Sequence, residues 1–266
     1  MEQFEPVESY GGVYLGRANL ALFWAVGFAG NSMRTEVTLT IAAGVAGFAL
    51  CAYILTYMTT RHEPVEWQNG DLVFQTATML PNEMVLDATA SPLTNVGIVA
   101  VSDNGPTVIN AGPQHVDEVR MSDFVAQGKG GTIAAYRVHD MTPERGAQIV
   151  AAARRQLGKP YDVFFDKATD SIYSGELVRI AFSDIGVSLG QWVKLERLVK
   201  DAPTFQTIYA QQWSNLQACK SYNYDQSQCW THVLRQQVIT PASIAADEHV
   251  TQVYSDMPSV QALRPE

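Results

Sequence analysis

The clearest pattern in the chain is an uninterrupted apolar run. Residues 37–58 read VTLTIAAGVAGFALCAYILTYM and contain no charged side chain. Because a helix needs about 20 apolar residues to cross a bilayer, the run predicts a single transmembrane helix. Its alanines and glycines would let another helix pack closely against it. A buried core helix is the alternative, but an uncharged run of this length is unusual in a soluble protein.

The preceding residues, 1–36, are predicted to be an N-terminal extension. A second apolar stretch, residues 20–29, is too short to span a bilayer. Its Phe23, Trp24 and Phe28 favour either an interfacial segment or a docking segment. Arginines lie on both sides of the long run, so the positive-inside rule does not decide its orientation. A cleaved signal peptide is not expected, because the long run begins too far into the chain.

The pattern of a folded α+β domain follows, which we assign to residues 66–250, with a C-terminal tail at 251–266. Runs rich in β-branched and aromatic residues, bounded by turn signals, predict four strands at residues 71–75, 95–101, 106–110 and 131–138. Thr142 and Pro143 are an N-cap residue and a first-turn proline, and they predict a helix that ends at Gly158. Further helices are predicted at residues 174–186, 192–199 and 205–218.

Composition narrows the possible functions. The net charge is −9 and no long basic run is present, which argues against a nucleic-acid partner. The three cysteines are too few for a disulfide framework. Cys219 and Cys229 are spaced as in some disulfide-linked helical hairpins, but a single pair is a weak signal and free cysteines are favoured. Neither a metal site nor a cofactor is expected.

Six short motifs, in order along the chain, resemble the YiiX/YebB branch of the circularly permuted papain-like (NlpC-type) hydrolases. They are WQNGDLVFQ at 67–75, SPLTNVGIV at 91–99, NAGP at 110–113, GKPYD at 158–162, YSGELV at 173–178 and TPAS at 240–243. The resemblance implies a small antiparallel sheet packed on helices, with the histidine strand placed before the cysteine helix.

The resemblance also implies where the catalytic groups of an active relative would lie. The nucleophilic cysteine corresponds to Ser174, its histidine base to Asn95, and the third polar residue to Asn110. A serine hydroxyl needs a base within hydrogen-bond reach, and an asparagine amide cannot accept a proton near neutral pH. The sequence therefore predicts that this catalytic unit is inactive. His115 is the one histidine close enough in sequence to a cleft position to test as a substitute base.

Other charged and aromatic residues of the sequence are interpreted mainly as structural. Asp162, Asp166 and Asp170 are interpreted as a loop cap and solvated acids rather than a metal or carboxylate pair. Glu176 falls in the first turn of its predicted helix, where a carboxylate complements the helix dipole. An aromatic stretch near the C-terminus is typical of either a contact surface or ordinary core: Trp213, Tyr222, Tyr224 and Trp230.

Three functions remain open. The favoured one is a membrane-anchored, catalytically inactive homologue that acts as a structural or binding module, an accessory subunit of a membrane complex that contacts lipid and other subunits. The second is a thiol hydrolase of cell-wall peptide or lipid-linked amides and esters whose catalytic residues were replaced by engineering. The third is a noncatalytic ligand-binding protein, with cleft candidates Asp71, Asn95, Asn110, Tyr173 and Ser174. The expected location is a bacterial or mitochondrial inner membrane, with the domain on the non-cytoplasmic side.

Overall fold

The structure of the chain, a computed structural model, describes residues 65–78, 80–165, 170–199 and 202–257, without the side chains of residues 80–84. The predicted extension at 1–36 and the predicted membrane span at 37–58 lie outside these residues. Within the described part, none of the helices combines the length and the apolar character needed to cross a membrane.

An antiparallel six-stranded sheet forms the centre of the domain, with strand order β4-β3-β2-β1-β5-β8. Its strands are β1 (Leu72–Gln75), β2 (Asn95–Ser102), β3 (Gly105–Ala111), β4 (Val116–Arg120), β5 (Ala134–Val138) and β8 (Val250–Ser255). Strands β6 (Val193–Lys194) and β7 (Gln237–Val238) form a separate pair. The four predicted strands are confirmed as β1, β2, β3 and β5, whereas β4 was not predicted.

The domain extends past residue 250, where the sequence placed its end. Residues 251–255, assigned to a tail, belong to β8 and pair with β5 at the edge of the sheet. The assignment was wrong because this segment is mostly exposed or half-buried and carries no apolar alternation. Its partner strand is also distant in sequence, so no local signal marks the pairing.

Nine helices connect and cover the strands within the described residues. They are α1 (Leu80–Thr89), α2 (Met121–Gln127), α3 (Pro143–Arg154), α4 (Ser174–Ser183), α5 (Leu195–Val199), α6 (Pro203–Gln212), α7 (Gln217–Ser221), α8 (Gln226–Leu234) and α9 (Pro241–Ala245). The predicted start of α3 is confirmed, because the Thr142 hydroxyl accepts a hydrogen bond from the Arg145 amide at 3.3 Å. The segment predicted as one helix at 205–218 is interrupted by a 3₁₀ turn at Trp213–Asn215.

The sheet is covered on both faces. On one face Val96 and Ile98 of β2 pack with Ile149 of α3 and Leu177 and Val178 of α4. On the other face Val73, Val99 and Val108 pack with Phe124 of α2. Successive strand residues point to opposite faces, so the same strands supply both clusters.

A second core lies among the C-terminal helices α5–α8 and includes Phe205, Tyr209 and Val233. Within it Cys219 of α7 and Cys229 of α8 form a disulfide, with their Cα atoms 5.4 Å apart. The expectation of free cysteines was therefore wrong. The two helices form a hairpin that brings the cysteines within the Cα separation a disulfide requires, and sequence spacing alone does not reveal this.

Candidate functional site

The N-terminus of α4 is the centre of the candidate site. Tyr173 occupies the extended N-cap position and Ser174 the first helical position, and both are buried. The first peptide N–H groups of a helix have no partner within the helix, and they make its N-terminus partly positive. Ser174 therefore lies where a developing anion would be stabilised.

The backbone of Ile239 holds this helix start in place. Its N–H donates a hydrogen bond to the Tyr173 hydroxyl at 3.1 Å. Its carbonyl oxygen lies so close to Gly175 that a Cβ built there would be 2.1 Å from it. Only glycine permits this approach, because real Cβ atoms do not come within 3.0 Å of such a neighbour.

A small cavity has Ser174 in its lining. Its volume is about 20 Å³, which is enough for one water molecule. The residues of its lining that carry a hydroxyl include Ser174, Thr89, Thr240 and Tyr161. Most of the wall is apolar, and includes Val85, Leu195, Leu198, Phe205, Val238 and Pro241. Burial raises the pKa of the Tyr161 and Tyr173 hydroxyls, so both remain protonated in this setting.

Asn95 and Asn110 lie together at one end of the sheet. Strands β2 and β3 are antiparallel neighbours, so the start of β2 is beside the end of β3, with Gly97 directly opposite Asn110. A Cβ built on Gly97 would be 3.3 Å from Asn110 Cβ, which places the two positions on the same face. Asn95 is two residues before Gly97 in β2, so its side chain is on the same face of the sheet. Asn95 lies directly opposite Gln75 of β1.

Asn110 already has a partner. Its Nδ2 donates a hydrogen bond to Asp117 Oδ1 on β4 at 2.8 Å. Burial raises the pKa of Asp117, while the charge of His115 and the Asn110 hydrogen bond oppose that rise. Among the described residues, no hydrogen bond joins the Ser174 hydroxyl to Asn95 or Asn110.

The described histidines do not supply a base to Ser174. His139 Nε2 is 2.6 Å from Thr251 Oγ1, His232 Nε2 is 3.2 Å from Gln236 Nε2, and His249 Nδ1 is 2.7 Å from Asp247 Oδ1. His115, the candidate substitute base, is exposed immediately before β4, where its charge acts on the Asp117 carboxylate.

Asp71 lies apart from the other four cleft candidates. It lies at the opposite end of β1 from Gln75, and it is 1% exposed. Arg137 binds both of its carboxylate oxygens, at 2.7 and 2.8 Å, and the Gln68 amide donates to it at 2.8 Å. A buried carboxylate satisfied in this way anchors β1 to β5. The five cleft candidates thus form one pair in the cavity, one pair at the sheet end, and one separate residue.

The acidic residues interpreted as structural have structural contacts. Asp162 Oδ1 accepts a hydrogen bond from the Phe164 amide at 3.1 Å, and Asp170 forms an ion pair with Lys159 at 2.7 Å. Asp166 lies outside the described residues. Across those residues, no group of three or more His, Cys, Asp or Glu side chains is arranged to hold a metal ion.

The sequence did not reveal two polar residues beside the Asn95 and Asn110 positions at the end of the sheet. Asp117 was missed because its strand, with the sequence VDEVR, was not predicted. Gln75 was recognised only as the last residue of β1, yet its buried side-chain oxygen and nitrogen have no hydrogen-bond partner. Its side-chain oxygen lies beside Gly128, which follows α2, because a Cβ built on that glycine would be 2.6 Å from it. A polar residue at the end of an otherwise apolar strand is the signal that could have identified it.

Comparison with known proteins identifies the fold. Residues 66–254 match the sequence model of the permuted papain-like amidases, YaeF/YiiX, C92 family. The chain is 28% identical over 142 residues to the uncharacterized protein YiiX of Escherichia coli K12, covering 52% of this chain and 69% of that protein. It also resembles the crystal structure of the metalloprotein YiiX from Escherichia coli O157:H7, with a TM-score of 0.61 at 23% identity over 72% of this chain and 98% of that one. The chain therefore belongs to the YaeF/YiiX (C92) family of permuted papain-like amidases.

Proposed function

We propose that this protein is a noncatalytic member of its family, in which the papain-like domain serves as a structural module. The proposal includes a membrane anchor at residues 37–58 and a role as an accessory subunit of a membrane complex. The observation that carries the noncatalytic part is Ser174, a buried serine at a helix N-terminus that no described histidine contacts.

The chemistry explains why this serine is not a nucleophile. The helix N-terminus stabilises negative charge, but its effect of about 1–2 kcal/mol is far too small to ionise a hydroxyl near neutral pH. A general base has to take the proton. Asn95 cannot do so, and Asn110 uses its amide to donate to Asp117. Loss of such a coupled unit typically removes a factor of 10⁴ or more in rate.

The cavity supports a structural role over retained ligand binding. Pockets for drug-sized ligands have volumes of about 300–1,000 Å³. The cavity at Ser174, about 20 Å³, admits only a water molecule. A substrate would reach the serine only after side chains of the cavity wall moved aside.

The disulfide supports the expected location. Structural disulfides form and persist in oxidising compartments such as the bacterial periplasm. The Cys219–Cys229 bond therefore favours a domain on the non-cytoplasmic side of the membrane.

A metal-dependent activity is not part of the proposal. The solved relative is described as a metalloprotein. In this chain, however, the described residues include no set of three side chains that fits a metal ion. We therefore derive no step through a metal.

Hydrolysis assays test the noncatalytic role. Purified full-length protein and its Ser174→Ala variant are compared on acyl esters, anilides and short peptides. We expect the hydrolysis rate with either protein to equal the rate in buffer alone, and turnover that Ser174→Ala abolishes would overturn the proposal.

The engineered-hydrolase alternative is tested separately by sequencing the native gene, because this alternative requires cysteine at 174 and histidine at 95. Stoichiometric co-purification with membrane proteins tests the accessory role, and recovery of the chain alone from mild detergent would contradict it.

A further inference from the structure

The outer side of the α7–α8 hairpin carries a recess that is much larger than the cavity at Ser174. Its volume is about 220 Å³, and it is lined by Tyr224, Gln228, Thr231, His232 and Arg235. Four of these residues, 228, 231, 232 and 235, follow helical spacing, so they share one side of α8 and its C-cap.

Tyr224 lines the recess, and the Tyr222 ring stacks on it beside the recess. The rings of Tyr222 and Tyr224 lie 5.3 Å apart at an interplanar angle of 21°. The His232 ring lies 6.3 Å from the first and 5.9 Å from the second. Tyr222 is 65% exposed but does not line the recess, so the tyrosine that a ligand in the recess would contact is Tyr224.

The rest of the recess is rich in hydrogen-bond donors. The Gln228 Oε1 already accepts from the Asp225 amide, which leaves the side-chain NH₂ as its group for a ligand. The Thr231 hydroxyl donates to the Ser227 carbonyl, so its oxygen can accept from a ligand hydroxyl. Arg235 is exposed and forms no ion pair with any residue that the structure describes. The nearby Asp225 carboxylate accepts from the Gln228 amide at the other end of α8.

The hairpin is held rigidly. The Cys219–Cys229 disulfide joins α7 to α8. The Tyr224 amide donates to the Cys219 carbonyl at 3.0 Å, and a capping box at Asp225 and Gln228 fixes the start of α8. A preorganised recess loses less conformational entropy when a ligand binds, so this construction favours binding.

We propose that this recess binds a single sugar ring that carries a carboxylate. The Tyr224 ring suits the apolar C–H face of a sugar, and the Arg235 guanidinium suits a carboxylate, which it can bind through two parallel hydrogen bonds. Gln228 and Thr231 suit ring hydroxyls. The recess is smaller than the roughly 300 Å³ at which pockets for drug-sized ligands begin, so it fits one ring rather than a nucleotide or a longer chain. This inference goes beyond the proposed structural role and does not depend on it.

Saturation-transfer NMR with the full-length protein in a detergent without sugar groups tests the inference. D-glucuronate is the probe, D-glucose is the same ring without the carboxylate, and acetate is the carboxylate without the ring. We expect saturable binding of glucuronate, with transfer to the ring C–H protons, and binding at least about tenfold weaker for the other two.

Three variants separate the contributions of the recess. Arg235→Gln is expected to weaken glucuronate binding about tenfold, and Tyr224→Ala to remove most of the transfer to the ring protons. Arg197→Gln, which changes an exposed arginine on α5, is the matched control and is expected to bind like the wild type. Equal melting temperatures establish that the variants are folded. The inference is overturned if glucuronate does not saturate, if acetate binds equally well, or if Arg235→Gln and Arg197→Gln behave alike.

Discussion

Breaking the Cys219–Cys229 disulfide should destabilise the domain by an amount that the structure lets us calculate. The cysteines are separated by 10 positions in sequence. In the chain-entropy model, a cross-link that closes such a loop stabilises the fold by about 2.7 kcal/mol at 25 °C. For a domain of this size, that loss lowers the melting temperature by roughly 5–10 °C.

The measurement is equilibrium urea unfolding, followed by far-UV circular dichroism, with and without a thiol reductant. Reduction of the wild-type protein isolates the cross-link, because it leaves every side chain in place. We expect the unfolding midpoint to fall while the native spectrum is unchanged. The Cys219→Ala/Cys229→Ala variant is the control, and its midpoint should not respond to reductant.

Thiol titration in denaturant makes the test decisive. The chain has three cysteines, so the unreduced protein should show one reactive thiol, that of Cys51, and the reduced protein three. Three thiols before reduction would show that the bond does not form. An intact bond whose reduction leaves the midpoint unchanged would refute the entropic reasoning.

Three further perturbations test other contacts. Arg137→Gln leaves the buried Asp71 carboxylate without its cation, and it should cost about 3–5 kcal/mol in urea unfolding, where a loss below 1 kcal/mol would contradict the buried pair. Gly175→Ala places a Cβ against a backbone carbonyl and should lower stability by about 1–3 kcal/mol or more, so a neutral thermal melt would disprove the close approach. The Asp247 carboxylate raises the pKa of His249, so this pair stabilises the fold below the ordinary histidine pKa of about 6.5 and loses that effect as pH rises through the higher folded value. His249→Gln should flatten this pH dependence at low salt, and an unchanged slope would exclude the pair.

Local signals in the sequence were sufficient for much of the fold. Thr142 and Pro143 mark the start of α3 through contacts within a few residues of each other, and the structure confirms them. Short runs such as 71–75 and 95–101 have the β-branched and aromatic content that a buried strand requires. The six motifs, taken together in their order along the chain, identified the family without any knowledge of the packing.

The features that were missed depend on contacts between distant parts of the chain. Strand β8 exists because β5, more than a hundred residues earlier, offers it an edge. The disulfide depends on how α7 and α8 fold back on each other. Asp71 looked like a cleft residue because its motif resembles one in the family, and only the three-dimensional position of Arg137 shows its structural role.

The contact of α4 with the backbone of Ile239 limits how the start of this helix can move. The Ile239 N–H donates a hydrogen bond to the Tyr173 hydroxyl, and the Ile239 carbonyl oxygen lies against Gly175. Ile239 follows β7 directly and precedes α9 by two residues, so the contact couples the start of α4 to the connection between these two elements. A change of position at either place would have to move the other.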